Sequence, residues 1–296
     1  MKNDRLITQT QYGYFTIANK PSIQELEEYY ASVYYQGAAG GYEQDYTDEE
    51  ITYFKNKIAQ KYHVIKSTLL RSNDTSFLDV GCGEGWTLSF FKAKGWNVTG
   101  IDYSTFGCEK FNPDCLSHLI AGNLYENLVK LAANGSVYDV IWLDNVLEHV
   151  LDPEDLVSML KKLIKPCGVL VVEVPNDFSL IQKYALDKGY VDHEFWIVPP
   201  DHISYFNKKG LKNLFESHGW SSKKFLADFP IDWQLLNPDS NYIKDRSKGK
   251  NCHRQRIELD NIIAGLDITE AVAFYESLAN LGLGRQITGF FSPTEA

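Results

Sequence analysis

Residues 76–102 read SFLDVGCGEGWTLSFFKAKGWNVTGID. A β-branched apolar run ends at Gly81, Gly83 and Gly85, a helical run opens at Trp86, and a second β-branched run closes on Asp102. Glycines there remove side chains where the backbone turns sharply and let a ligand lie against it, while the helix start offers unpaired N–H groups. Asp79, just before the turn, is placed to orient it or to hold a water near a ligand amine. Asp102 ends the next strand, where a carboxylate accepts hydrogen bonds from both hydroxyls of a ribose. The glycine triplet alone arises by chance in roughly one chain in ten of this length. A strand before it, a helix after it and an acid ending the next strand make it specific.

Outward from this stretch the alternation continues: the weaker LSHLI, then YDVIWLD, a helix from Pro153, and GVLVVEV. Short β-branched runs separated by helices predict β-α-β units, hence an α/β fold with a mostly parallel sheet and helices on both faces. YDVIWL and GVLVVEV are almost continuously apolar, as in central strands covered on both sides. Ligands of such sheets bind beyond the carboxyl ends of the strands, so the glycine loop, Asp102, Asp144 and Asn145 should share one crevice.

The stretch LDVGCGEGWTLSFFKAKGWNVTGIDYS resembles the glycine motif and acidic second motif of class I S-adenosylmethionine-dependent methyltransferases. That resemblance implies a Rossmann-like fold of seven strands and S-adenosyl-L-methionine as cofactor. It places Gly81, Cys82 and Gly83 along the methionine part, Asp102 on the ribose and Tyr103 by the adenine. Asn123 and Leu124 stand where the family often has an acid beside the adenine amine, and asparagine replaces it as an acceptor. Dinucleotide dehydrogenases carry the third glycine one place later, where Trp86 stands, and Glu84 would repel a pyrophosphate. A nicotinamide-dependent oxidoreductase is therefore disfavoured, and intact cofactor residues argue against a non-catalytic binding module.

WLDNVLEHVLDP, residues 142–153, is similar to a stretch of quinone-pathway and sugar methyltransferases. Some quinone enzymes bind magnesium through the Glu-His pair and a Glu three residues before it; Asn145 stands there, leaving two ligands, so no tightly bound metal is expected. His149 is a candidate base, with a satisfied structural histidine as the competing reading. His202, in PDHISYF, resembles a segment that faces the acceptor in sugar methyltransferases, and Asp201 adjoins it. His193, beside Asp192 and Glu194, matches no family position.

The N-terminal residues 1–75 read as a helical cap. A helix opens at Pro21-Ser22 and runs to Tyr35, and another spans Asp48 to Leu70. Ten of the 18 tyrosines fall between Tyr12 and Tyr62. They serve either to pack helices on the sheet or to form a lid, in which Tyr34, Tyr35, Tyr42 and Tyr46 flank Gly37–Gly41 and close over a sulfonium. Residues 76–296 form the catalytic domain, with an insertion over 230–284 before the last strand, RQITGFF. Within the insertion KDRSKGKNCHRQR, residues 244–256, carries six Lys or Arg and one Asp in a chain of net charge −10. It reads as a solvated loop or as an anion clamp for a nucleotide-sugar. With LKNLFESHGW, which resembles surface-polysaccharide methyltransferases, it leans toward O-methylation of a sugar acceptor. A phenol or quinone precursor is the alternative.

The acidic balance argues against nucleic-acid partners. Neither a leader-like start nor an apolar run of membrane-spanning length is present, and the five cysteines (Cys82, Cys108, Cys115, Cys167, Cys252) form no C-x-x-C pair, so a reducing cytoplasm is expected. Oligomeric state is left open.

Overall fold

The computed structural model describes residues 7–29, 45–69 and 74–294. Its centre is a seven-stranded sheet built from β3 (Ser76–Val80), β4 (Asn97–Asp102), β5 (Leu119–Ala121), β6 (Tyr138–Asp144), β7 (Ile164–Pro175), β9 (Trp220–Ala227) and β10 (Gln286–Pro293), in the order β5-β4-β3-β6-β7-β10-β9. The chain works outward from β3 through β4 to β5, then returns to β6 on β3's other side. The switch point therefore lies where β3 and β6 end. β10 alone runs against the others, between β7 and β9. This is the Rossmann-like class I methyltransferase fold that the motif implies.

The core follows the apolar runs. Val140, Ile141 and Leu143 of β6 and Val169, Leu170 and Val172 of β7 are fully buried beneath helices on either face. The covering helices are α3 (Trp86–Ala93), α4 (Phe106–Phe111), α5 (Leu124–Ala133), α6 (Pro153–Leu163) and α8 (Lys208–Ser217), while α7 (Leu180–Asp187) packs on the 3-10 turn Ile231–Leu236. Each start has a local cause: Asp152 caps α6 ahead of Pro153 at its first position, and Ser179 with Gln182 closes a capping box on α7.

Before the sheet stand α1 (Ile23–Tyr29) and α2 (Asp48–Thr68), the latter opened by a Thr47–Glu50 capping box and an acidic first turn. α2 packs against α3 and against two helices of the insertion, α9 (Gly249–Ala264) and α10 (Ile268–Asn280). Residues 30–35 of the expected first helix, and Tyr34, Tyr35, Tyr42 and Gly37–Gly41 of the expected lid, lie outside the described residues.

Two features depart from the sequence reading. A small antiparallel sheet joins β1 (Ile7–Gln9), β2 (Phe15–Ile17) and β8 (Ser204–Tyr205), strands too short to show a period. The basic segment is not a loop: it passes through a 3-10 turn at Arg246–Lys248 and becomes the first half of α9. Cys252, Ile257 and Asp260 face inward from α9, and such an inward-facing stripe selects a helix over a solvated loop.

Candidate functional site

β3, β4, β6, β7 and α2 surround a cavity of about 870 Å³ at the carboxyl ends of the parallel strands. That is near the top of the range of roughly 300–1,000 Å³ for single-ligand sites, room for a cofactor and an acceptor together.

One end is the glycine loop. Gly81, Gly83 and Gly85 have φ of 81°, 49° and 77°, left-handed values that favour glycine. The constraint differs between them: a Cβ on Gly81 would meet Val146 Cγ2 at 2.4 Å, whereas one on Gly83 would enter open space. Gly83 thus leaves room for a ligand against its backbone. Its N–H donates to Asp102 Oδ2 at 2.8 Å, and Ser104 N–H donates to Oδ1 at 3.0 Å, so the carboxylate is held at the cavity wall. Glu84 accepts from Tyr46 Oη at 2.8 Å and Trp86 Nε1 at 2.7 Å. Asp79 is buried and accepts from Thr87. Burial pushes Asp79 up to about 8, with Thr87 opposing, and raises Asp102 against its backbone donors. Acids destabilised in this way favour a ligand that brings positive charge. Asn123 caps α5, its Oδ1 accepting from Glu126 N–H at 3.2 Å while its amide donates to Tyr103 Oη at 3.1 Å. The expected adenine acceptor therefore already has one donor. Leu124 and Tyr103 also line the cavity. Cys82 turns toward the sheet, where a Cβ on Gly100 would meet its Sγ at 2.8 Å.

The middle of the cavity holds a group that sequence reasoning missed. Parallel pairing puts Asp144 of β6 beside Glu173 of β7, and like charges side by side repel. Lys61 of α2 bridges them, its Nζ 3.0 Å from Asp144 Oδ2 and 2.9 Å from Glu173 Oε2. Burial disfavours the ammonium, but the two carboxylates outweigh it and hold its pKa above the ordinary lysine value. Burial and the Glu173 charge push Asp144 up to about 6; burial also acts on Glu173, yet Lys61 and Thr288 keep it below its usual range. Asn145 follows at φ 52°, a conformation asparagine tolerates, and donates to Asp144 Oδ1 at 2.8 Å. The signal was available in the 3.6-residue period: Tyr53, Lys57 and Lys61 fall on one face of α2, and all three line the cavity.

His149 reaches the cavity and His202 stands behind it, their ring centroids 4.9 Å apart. His149 Nδ1 lies 2.6 Å from the carbonyl oxygen of Asp201, which can only accept, so the proton of the neutral ring sits on Nδ1 and Nε2 keeps its lone pair. Burial lowers the His149 pKa, with Asp201 opposing, and burial together with His149 brings His202 down to about 3. The loop is pinned: Ile203 and Ser204 N–H donate to the Glu148 carbonyl at 2.8 and 3.0 Å, and β2 holds it from the other side. Glu148, His149 and His202 each place a donor atom within 4.8 Å of the others. The expectation of no metal rested on two ligands; the fold supplies His202 as a third. Burial, however, raises the Glu148 carboxyl well above its usual value, which disfavours the charged form of that donor. His193 is exposed and pairs with Asp192 at 2.5 Å, away from the cavity.

The methyltransferase domain family matches residues 52–222, more than half of the chain, and the chain belongs to it. It is 31% identical over 157 residues to a ubiquinone biosynthesis O-methyltransferase of Colwellia psychrerythraea, covering 47% of this chain and 61% of that protein. It is 33% identical over 156 residues to the protein of that name from Cupriavidus pinatubonensis, covering 48% and 61%. It thus spans about three fifths of the length of these relatives. Among solved structures it is similar to a SAM-dependent methyltransferase from Archaeoglobus fulgidus at 23% identity and TM-score 0.48, over 81% of this chain and 94% of that one. S-adenosylmethionine is the cofactor of this class, and the residues fit it: Gly83 leaves space a side chain would fill, and Asp79 and Asp102 put buried carboxyls on the cavity wall that a cationic ligand would relieve. No helix among the described residues is long and apolar enough to cross a membrane.

Proposed function

We propose that the protein O-methylates a phenolic hydroxyl of a small aromatic acceptor, with His149 as the base. The observation that carries this reading is His149 itself, which lines the cavity with its proton held on Nδ1 by the Asp201 carbonyl and its pKa lowered by burial. A phenol ionises near ~10, within reach of such a base, whereas an aliphatic hydroxyl is closer to water at ~15.7. S-adenosylmethionine supplies an electrophilic methyl on a sulfonium. The protein's part is to hold the acceptor oxygen in line, to take its proton on Nε2, and to keep the imidazole oriented through Asp201. His202 shields and positions His149 rather than touching the acceptor. Aromatic walls from Tyr53, Phe54, Trp86 and Trp142 suit a planar ring, and the curated relatives are named for ubiquinone biosynthesis.

The sugar reading loses its main support with the basic segment. Lys244 donates to the Gly189 carbonyl, Lys248 to that of Pro238, and Arg254 pairs with Glu258 on the surface; only Arg256 of the six enters the cavity wall. Radiolabelled methyl transfer to catechol, 3,4-dihydroxybenzoate and a set of nucleotide-sugars tests the choice. Labelled phenols are expected; turnover of nucleotide-sugars alone would overturn it.

A further inference from the structure

The cavity wall carries charges of both signs. All three of its Lys and Arg side chains, Lys57, Lys61 and Arg256, come from α2 and α9. Lys61 is committed to Asp144 and Glu173. Lys57 lies 3.6 Å from Asp260 Oδ1 and 4.0 Å from the Tyr275 ring centroid. For Arg256, no carboxylate among the described residues comes within the ion-pair limit of 4.0 Å. Its Nη2 lies 3.0 Å from His253 Nδ1, its guanidinium sits 5.6 Å from the Tyr53 ring centroid, and its buried Nε has no hydrogen-bond partner among the described residues. The acids closest in influence are Asp228 and Asp260, each engaged through Oδ1, while Asp260 Oδ2 is buried with no hydrogen-bond partner among the described residues. Asp228 Oδ1 accepts from the Arg285 and Gln286 N–H groups at 2.6 and 2.7 Å, and Asp260 accepts from Tyr275 and faces Lys57.

We propose that Arg256 is the anion-recognition residue of the acceptor site and that the acceptor carries a carboxylate, which its guanidinium binds. This rests on the phenol reading for the rest of the acceptor. A planar fork of donors with an orphaned Nε matches a carboxylate, and leaving such a donor buried and unpaired is unfavourable. A single available cation fits one carboxylate, not a diphosphate.

A carboxylate is present on the cofactor's methionine as well, and the arrangement of α2 separates the two sources. Phe54 faces the glycine loop, with its ring centroid 5.8 Å from that of Trp86, while its neighbour Tyr53 faces Arg256. Successive helical residues point about 100° apart, so Arg256 and the glycine loop meet different residues of α2.

The test pairs calorimetry with turnover on the full chain. Binding of benzoate and benzamide to protein saturated with S-adenosylhomocysteine is measured for wild type, Arg256→Gln and Arg256→Lys. Methyl transfer to 3,4-dihydroxybenzoate and 3,4-dihydroxybenzamide is measured alongside. Wild type is expected to favour the carboxylate of each pair by roughly tenfold or more, the Gln variant to bring the ratio near one, and the Lys variant to fall between. Unchanged S-adenosylhomocysteine affinity shows that each variant is folded and that the cofactor's carboxylate is not the ligand. A tenfold loss of that affinity in an otherwise native-like Gln variant would assign Arg256 to the cofactor and overturn the proposal. So would a wild-type ratio near one, or a ratio the Gln variant leaves intact. Benzoate preference without methylation of any phenol would refute the phenol reading and leave the anion subsite standing. Methylation of both phenols with no preference would do the reverse.

Discussion

Replacing Lys61 by methionine keeps an unbranched apolar stem one atom shorter and removes the ammonium, leaving Asp144 and Glu173 side by side without their bridge. At 3.0 and 2.9 Å and an effective dielectric near 20, each pair is worth about 5–6 kcal/mol of Coulomb attraction before desolvation is subtracted. Breaking one partner of a buried pair costs about 3–5 kcal/mol in practice. That is a large part of the roughly 5–15 kcal/mol that stabilises a typical domain, and for a chain of 296 residues it translates to a fall of about 5–8 °C in Tm. The pH dependence identifies the cause. Asp144, with a folded value of about 6 against an unfolded 3.8, binds its proton more readily when folded. Its contribution to stability is therefore present at low pH and is lost as pH rises through 6. Without Lys61 both carboxylates move higher still, so the variant's deficit should be largest near pH 8 and shrink toward pH 5. Urea unfolding at both pH values, with Lys61→Met/Glu173→Gln alongside, measures this. The second change should recover at least about 1–2 kcal/mol at pH 8 by removing one orphaned charge. A deficit below about 1 kcal/mol that does not vary with pH would refute the bridging role.

His149→Gln should lower kcat/KM for a phenolic acceptor by about 10²–10⁴-fold, and the wild-type acid limb should fall below pH 6.5, since burial lowers the His149 pKa; a rate–pH profile on both proteins checks it. Asp102→Ala should weaken S-adenosylhomocysteine binding by about 1.5–3 kcal/mol in calorimetry, and unchanged affinity would remove the ribose role. Asp79 is protonated below about pH 8, so an incoming ammonium should expel its proton: affinity rises from pH 6 to 8, and the binding enthalpy depends on the buffer's ionisation enthalpy at pH 7. Dialysis against a chelator should leave methyl transfer unchanged, because burial disfavours the charged form of Glu148; loss of activity restored by magnesium would show that the Glu148, His149 and His202 donors hold a cation.

The sheet and the glycine loop were legible because each rests on local pattern. β-branched runs mark β3, β4, β6 and β7, and left-handed turns demand glycine at 81, 83 and 85. The acceptor side was not, because it is assembled across long sequence distances. Lys61 meets Glu173 only through the packing of α2 on the sheet. Arg256 was visible within a charged run, but the run's helical state and the outward turn of its other cations depend on the burial of Cys252, Ile257 and Asp260. His149 and His202 were each singled out, yet their separation into a cavity-lining ring and a backing ring needed the β8 loop pinned beneath Glu148. Short strands such as β1 and β8 carry no period at all.

The reversed direction of β10 has an evolutionary consequence. Ala227 is paired with Ile287, so the excursion over residues 230–284 leaves and re-enters the sheet at neighbouring points on one rim. Its feet are fixed however long it grows, and the entropy of closing a longer loop rises only as about 1.5RT ln n. If Arg256 meets the acceptor as proposed, that excursion can be remodelled to suit new acceptors, while the cavity-lining loops after β3 and β4 belong to other parts of the chain. Descendants of such a scaffold are free to diverge in what they methylate while inheriting the methyl donor unchanged.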